Sequence, residues 1–376
     1  MKEEKIIDAL AFTDEKLLEE ADEFRRGKKK KQGKYGALVA AACICVVAAV
    51  TVAGVRYSGR ISPAPPVNSE SSTQTLHEIN VDGFLNDGMG HEGWMLKNIS
   101  EWTSSKKIPY FKTLPVYSVK GNGINEKEMN EVIDNVISLL GIPEAEFERR
   151  YEYASEIYGE IVQDYVYAVE AVASGGRIRA FSKGGYSIIF NEGGTVPAGC
   201  SDEEIAEYYA EKYKMLLGTD KIRTEIRVDY NVYGKRMVSY SFYACAENEL
   251  EEMINREFSS MKLNIIDDRL MSIIVDNSLA SAETVGNYPV ISLREARKKL
   301  AEGDYITSSP YDFAGAEYAD AVELVYRKSG DTCVPYYLFY VEEINAPAKD
   351  YGLKDYSSYY VPAVEEEFIK YSGYGE

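Results

Sequence analysis

Residues 201–245 read SDEEIAEYYAEKYKMLLGTDKIRTEIRVDYNVYGKRMVSYSFYAC. In the first half, Ile205, Tyr209, Tyr213 and Leu216 recur at spacings of three and four, the period of one helix face. Ser201 followed three residues later by Glu204 is a capping box, and Gly218 supplies the left-handed stop. The spacing predicts a helix over 202–217. The period then switches to two. Ile222, Thr224, Ile226, Val228 and Tyr230 alternate with polar or charged residues, as a half-buried strand should. Gly234 turns the chain into a second strand, KRMVSYSFYAC.

The same order appears on both sides of this stretch. Upstream, Asn125 caps a helix over 126–140 with Glu128 three residues on, and Gly141 and Pro143 end it. Met129, Val132, Ile133, Val136 and Leu140 form its apolar face. The strands DYVYAVEAV, RIRAF and GYSIIF follow, separated by Gly-containing turns. Downstream, 255–276 reads as a hairpin around Asp267-Asp268. Ser292 and Glu295 box the start of a helix over 293–302, closed by Gly303, and EYADAVELVYRK, VPYYLFYVEEI and SSYYVPAV follow as strands. Residues 81–120 read as loops leading to an edge strand, LPVYSVK, where Pro115 is tolerated. The expected fold class is α+β, built of repeated helix-plus-antiparallel-hairpin units over 81–376, with subdivisions near 195 and 285.

A different signal dominates the start. Gly36–Val55, GALVAAACICVVAAVTVAGV, carries no charge over twenty residues, about the number a helix needs to cross a bilayer core. Seven Lys or Arg lie between Arg25 and Lys34, which predicts an N-terminus inside and the bulk of the chain outside. The expected organisation is a cytoplasmic leader over 1–35, a transmembrane helix over 36–55, a Ser/Pro-rich linker over 56–80 and an extracytoplasmic region over 81–376. In the leader, Thr13 caps a short helix that places Leu17, Leu18, Ala21 and Phe24 on one face. These four are the candidate partner-binding residues.

Composition narrows function. The net charge is -19, and residues 1–35 contribute +1, so acidity sits in the larger region. Phosphate backbones require basic surface, so nucleic acid is excluded as a partner. The thirty-one tyrosines suit sheet packing and, secondarily, a binding platform. Cys200, Cys245 and Cys333 are an odd set, which leaves their pairing open. The two histidines are His77 and His91, and neither belongs to an HExxH motif. There is no G-x-S-x-G elbow. GNGINE at 121–126 is a turn, and NVDGFLNDG at 80–88 lacks calcium-loop spacing. His91 with Glu92 reads as a solvated loop pair, with a place in a site as the lesser alternative. No catalytic, cofactor-binding or metal-binding residue is assigned, and no cofactor is expected.

Several segments resemble known families. IIDALAFTDEKLLEEADEFRRGKKKK followed by an Ala/Val span resembles the leaders of single-span Gram-positive envelope proteins, some of them anti-sigma-factor-like. LPVYSVKGNGINEKEM, YPVISLREARKKLAEGDYI, VELVYRKSGDTCVPYYLFYVEE and YYVPAVEEEFI resemble the outer regions of YycH/YycI-type regulators and PepSY-like modules. The resemblance implies stacked α+β units and a regulatory role without catalysis. The leader has no His or Cys and so lacks a zinc-binding helical domain. The expectation is a membrane-anchored extracytoplasmic binding or regulatory protein. A cytoplasmic regulator or membrane partner would meet the leader, and an envelope ligand would meet the outer region. The alternatives are a carboxylate-using envelope hydrolase and a structural envelope protein.

Overall fold

The computed structural model describes residues 76–372 apart from 83–90, 103–107, 119–122, 144–145, 155–164, 267, 278–281, 330–331, 345 and 347–350. In chain order the strands are β1 (Ile79–Asp82), β2 (Gly93–Leu96), β3 (Thr113–Ser118), β4 (Glu148–Tyr153), β5 (Val166–Ala173), β6 (Gly176–Phe181), β7 (Tyr186–Thr195), β8 (Ile222–Tyr230) and β9 (Arg236–Ala244). They continue with β10 (Ser260–Ile266), β11 (Arg269–Val275), β12 (Glu283–Pro289), β13 (Ile306–Thr307), β14 (Ala319–Ser329), β15 (Thr332–Glu342), β16 (Lys354–Pro362) and β17 (Ile369–Ser372). The α-helices are α1 (Glu126–Leu140), α2 (Asp202–Lys212), α3 (Lys214–Leu217), α4 (Glu249–Phe258) and α5 (Leu293–Glu302).

The local signals act where they stand. Asn125 and Glu128 cap each other's backbone at the start of α1, and Gly141 ends it in the left-handed region at φ 67°. Ser201 with Glu204 and Ser292 with Glu295 do the same for α2 and α5. The helix expected over 202–217 breaks at Tyr213 into α2 and α3. Residues 255–258, expected in a hairpin, complete α4, whose start is capped by Asn248 through the Glu251 N–H. The hairpin itself begins at Ser260, and Asp268 takes φ 59° at its turn.

The expected fold class is corrected by the strand pairing. The protein is built mainly of antiparallel sheet, not of repeated helix-plus-hairpin units. The pairing runs β8-β9-β10-β11-β7-β6-β5-β4 in one half and β12-β3-β15-β16-β2 in the other, with β14 added on β15 and β13 on β16. A single pair, Met95 with Tyr230, joins β2 to β8 and so joins the halves. β1 and β17 form a separate parallel pair. Partners are distant in sequence: β3 lies on β12, and β2 on β16. Capping and periodicity are local properties, whereas strand partnership is decided by which faces can be buried together. The strand of Pro115 is also not an edge. β3 pairs with β12 along its length and meets β15 at Tyr117 and Ser118.

The cores follow from this arrangement. In the first half, α1, α2 and α3 cover one sheet face, packing Ile133, Tyr209 and Leu216 against Ile178, Phe242 and Leu263. In the second half both sheet faces are buried. Met253 and Phe258 of α4 and Leu300 of α5 lie with Tyr337, Phe339 and Val361 on one side. On the other, Val81 and Trp102 lie with Tyr336, Leu338 and Tyr340. Burial on both faces explains the unbroken apolar run of β15, since such strands lose the alternation of half-exposed ones. Tyr117, Tyr209, Tyr240, Tyr288, Tyr336, Tyr340, Tyr356 and Tyr359 are fully buried, so tyrosine serves sheet packing.

The membrane assignment is corrected too. No helix among the described residues is long and apolar enough to cross a membrane. The longest described helix, α1, has 15 residues. That spans about 22 Å against roughly 30 Å of hydrocarbon, and one of its faces is committed to a sheet. A single-pass membrane protein with its C-terminal region outside is therefore unsupported by the structure. The segment 36–55, the leader, and its residues Leu17, Leu18, Ala21 and Phe24 lie outside the described residues.

Candidate functional site

β8 presents two different faces. Ile226 packs into the first core with Tyr240 and Phe242 of β9. Glu225, Arg227 and Asp229 point the other way, because side chains alternate along a strand. Register places Ser241 beside Glu225 and Ser239 beside Arg227 on β9. Lys262 of β10 lies beside Ser241. This polar face is half-buried at Glu225, Arg227, Asp229 and Ser241 and exposed at Ser239 and Lys262. It forms the floor of a cleft of about 380 Å³ whose opposite wall comes from β14, β15 and β16, through Glu323, Val325, Arg327, Leu338, Tyr340 and Tyr360. Trp94 and Trp102 close one side, and Arg256 and Glu257 of α4 close another. The cleft thus lies beside the Met95–Tyr230 junction of the halves.

Arg227 is the central group. Its Nε donates to Glu225 Oε1 at 2.7 Å, its Nη1 to Tyr340 Oη at 3.3 Å, and its Nη2 to both Glu323 oxygens at 3.1 and 3.3 Å. Its guanidinium lies 4.9 Å from the centre of the Trp102 ring, a cation–π arrangement. Burial works against the charge, but Tyr340, Glu323 and Glu225 outweigh it and hold Arg227 well above its ordinary pKa. Burial, then Glu323, pushes the Tyr340 phenol well up, so this hydroxyl stays protonated and donates to Glu323 Oε2 at 3.1 Å.

A second arginine is locked at the margin. Arg327 Nη1 donates to Glu92 Oε1 at 2.8 Å, and Tyr360 donates to Glu92 Oε2 at 2.7 Å. The Arg327 guanidinium covers the Tyr360 ring at 4.7 Å. The His91–Glu92 pair is therefore divided. Glu92 belongs to the margin of the cleft, while His91 Nε2 meets Ser357 Oγ at 2.8 Å. Burial lowers the His91 pKa against the opposing pull of Glu343 and Glu92. Ser357 has no solvent exposure, so this Ser–His contact is no accessible nucleophile.

The floor contrasts with the wall. Among the described residues the Lys262 ammonium and the Ser239 and Ser241 hydroxyls form no hydrogen bond or ion pair. The Asp229 carboxylate forms none outside its own residue, and its Oδ1 is buried without a partner. Burial raises the Asp229 pKa. The Trp102 indole N–H is also buried and unpartnered. Arg256 uses Nε on Glu257 at 3.0 Å and Nη2 on the Leu324 carbonyl at 3.4 Å, leaving Nη1 without a described partner.

No group of three or more His, Cys, Asp or Glu among the described residues is placed to hold a metal ion. Cys200, Cys245 and Cys333 are free thiols. Sequence reasoning reached only Glu92 of this site. The charges of β8 and β14 were visible as polar positions of alternating strands, but nothing local tells a cleft-facing position from a solvent-facing one.

The chain matches no known protein family and no curated protein. Among solved structures it is similar to an uncharacterized protein from Eubacterium rectale, at 10% identity and a TM-score of 0.35, over 67% of this chain and 82% of that one.

Proposed function

We propose that this protein is a non-catalytic binding protein with a regulatory role, whose cleft between the two sheet halves receives a small polar ligand. The division of the cleft carries this reading. The β14–β16 wall is pre-organised by internal ion pairs, while Asp229, Ser239, Ser241 and Lys262 on the floor keep hydrogen-bonding capacity. A concave site of this volume, with aromatic walls and a few placed polar groups, is what small-molecule sites use. The acids speak against hydrolysis. Glu225, Glu257 and Glu323 are each engaged by a guanidinium, which leaves Asp229 as a lone free carboxyl without the second one that a paired-carboxylate hydrolysis needs. Because both halves contribute groups, occupancy alters how they are restrained against each other, which suits regulation.

The chain has two tryptophans, and both line the cleft. A library of small polar metabolites screened by tryptophan emission should yield a saturable response that Ser241→Phe, which fills the floor, abolishes without lowering the melting temperature. A response unchanged in Ser241→Phe would place binding elsewhere and refute the reading.

A further inference from the structure

We infer that the cleft selects an elongated zwitterion of the size of a short peptide with free termini, its carboxylate at Lys262 and Arg256 and its ammonium at Asp229. This rests on the cleft being a ligand site and deepens that reading. The argument begins from which charges are already engaged. Arg227 has directed each of its nitrogens to Glu225, Tyr340 or Glu323, so it has little left to offer a ligand. Arg327 is committed to Glu92. The remaining cationic capacity is the Lys262 ammonium and Nη1 of Arg256. The anionic group without a cation is the Asp229 carboxylate. The unengaged charges are thus of opposite sign and sit at different places on the cleft lining.

The sheet sets their separation. Lys262, Ser241 and Glu225 are neighbours across three strands, and Asp229 lies four residues beyond Glu225 on β8. With strands about 4.8 Å apart and a rise of about 3.3 Å per residue, the Lys262 and Asp229 Cα atoms are roughly 16 Å apart. The two side chains extend toward a common ligand and leave a gap of about 10 Å, which three extended residues span. Ser239 and Ser241 lie between the two ends and can donate to or accept from peptide groups. A single amino acid, whose two charges are adjacent, would satisfy only one end. A dicarboxylate would meet Asp229 with like charge.

The experiment uses the full chain and three forms of one mixed-sequence tripeptide library: free termini, N-acetylated, and C-amidated. Binding is followed by tryptophan emission and calorimetry, with variants checked for a melting temperature no lower than that of the wild type. The free form should bind at least tenfold more tightly than either blocked form. Lys262→Met should weaken the free and N-acetylated forms at least tenfold and leave the amidated form unaffected. Asp229→Asn should weaken the free and amidated forms and leave the N-acetylated form unaffected. Equal binding of the three forms, or variant effects blind to which terminus is blocked, overturns the inference. Silence from all three forms while metabolites still give the Ser241-dependent response overturns the zwitterion and leaves the cleft a binding site. Silence from metabolites and peptides alike overturns both.

Discussion

Arg227 on β8 reaches across the cleft to Glu323 on β14, its Nη2 lying 3.1 and 3.3 Å from the two carboxylate oxygens. The residues are 96 positions apart, and their side chains are 24% and 15% exposed. Removing one partner leaves a largely buried charge short of its counter-ion, which costs more than the pair contributes when intact. Glu323→Ala should lower stability by about 1–3 kcal/mol, the range for a charge-assisted hydrogen bond with incomplete burial. The double variant Arg227→Met, Glu323→Ala should lose less than the sum of the single variants Arg227→Met and Glu323→Ala. Urea unfolding of the four proteins measures the coupling, and strict additivity would show that the two halves do not depend on this contact.

Tyr340 tests the same network more gently. Its hydroxyl accepts from Arg227 and donates to Glu323, while its ring packs edge-on against Trp94 and Trp102 at 5.7 and 5.6 Å. Tyr340→Phe keeps the ring and removes the bridge. It should cost about 1 kcal/mol, the usual net value of one hydrogen bond. Tryptophan emission should keep its wavelength, since both rings retain their packing. A red shift would mean that the hydroxyl, not the ring, holds the tryptophans in place.

Asp229 gives a pH dependence with a definite sign. Burial raises its carboxyl above the ordinary value of 3.8, so the native state binds its proton more tightly than the unfolded chain does. Its contribution is neutral below pH 3.8, becomes unfavourable as pH climbs from there through the raised native value, and stays unfavourable at neutral pH. Asp229→Asn should therefore be more stable than wild type at pH 7, and the advantage should shrink on acidification and vanish below pH 3.8. Melting temperatures across pH 3–7 provide the test. An advantage constant with pH would assign the gain to packing.

The three described cysteines should separate by reactivity. Cys333 is 2% exposed, and burial pushes its thiol up to about 12, so it offers neither access nor thiolate at pH 8. Cys200 and Cys245 are half-buried. A maleimide pulse on the native protein, read by peptide mass spectrometry, should label Cys200 and Cys245 well before Cys333. Urea should bring Cys333 to the rate of the others. Early labelling of Cys333 would show that the β14–β15–β3 region opens locally.

What the sequence made legible was local. Asn125 with Glu128, Ser201 with Glu204 and Ser292 with Glu295 announced three helix starts, because a cap is satisfied within four residues. The fourth start, at Asn248, went unread. Leu250, Met253, Ile254 and Phe258 have helical spacing, but a reading that began at Asn255 took the end of this helix for a strand. The joining of β3 to β12 and of β2 to β16 had no local signature. The cleft was hidden for the same reason. Glu225, Arg227 and Asp229 occupy the polar phase of a strand whose alternation was read from the sequence, and only the packing of the second half makes that face the floor of a cleft. The uncharged stretch 36–55 invited a whole topology from one segment, and the described residues supply no second spanning element to support it.

Two glycines with nearly the same backbone angle should respond very differently to alanine. Gly123, at φ +57°, precedes Ile124, whose N–H donates to the Ser182 carbonyl at 2.8 Å. A Cβ on Gly123 would stand 1.8 Å from that same carbonyl oxygen, so the chain would have to leave the contact that fixes the start of α1 on β6. Gly141, at φ +67°, has nothing within 4 Å of where its Cβ would be. Gly141→Ala should cost only the left-handed conformational penalty, about 1–2 kcal/mol. Gly123→Ala adds displacement of backbone in a packed region, worth roughly 1–3 kcal/mol more. Chemical denaturation of the two variants decides the matter. Equal losses would mean that Gly123 and Ile124 shift away from Ser182 freely, and that α1 is positioned by its buried face, through Met129, Ile133 and Val136, without help from the residues before it.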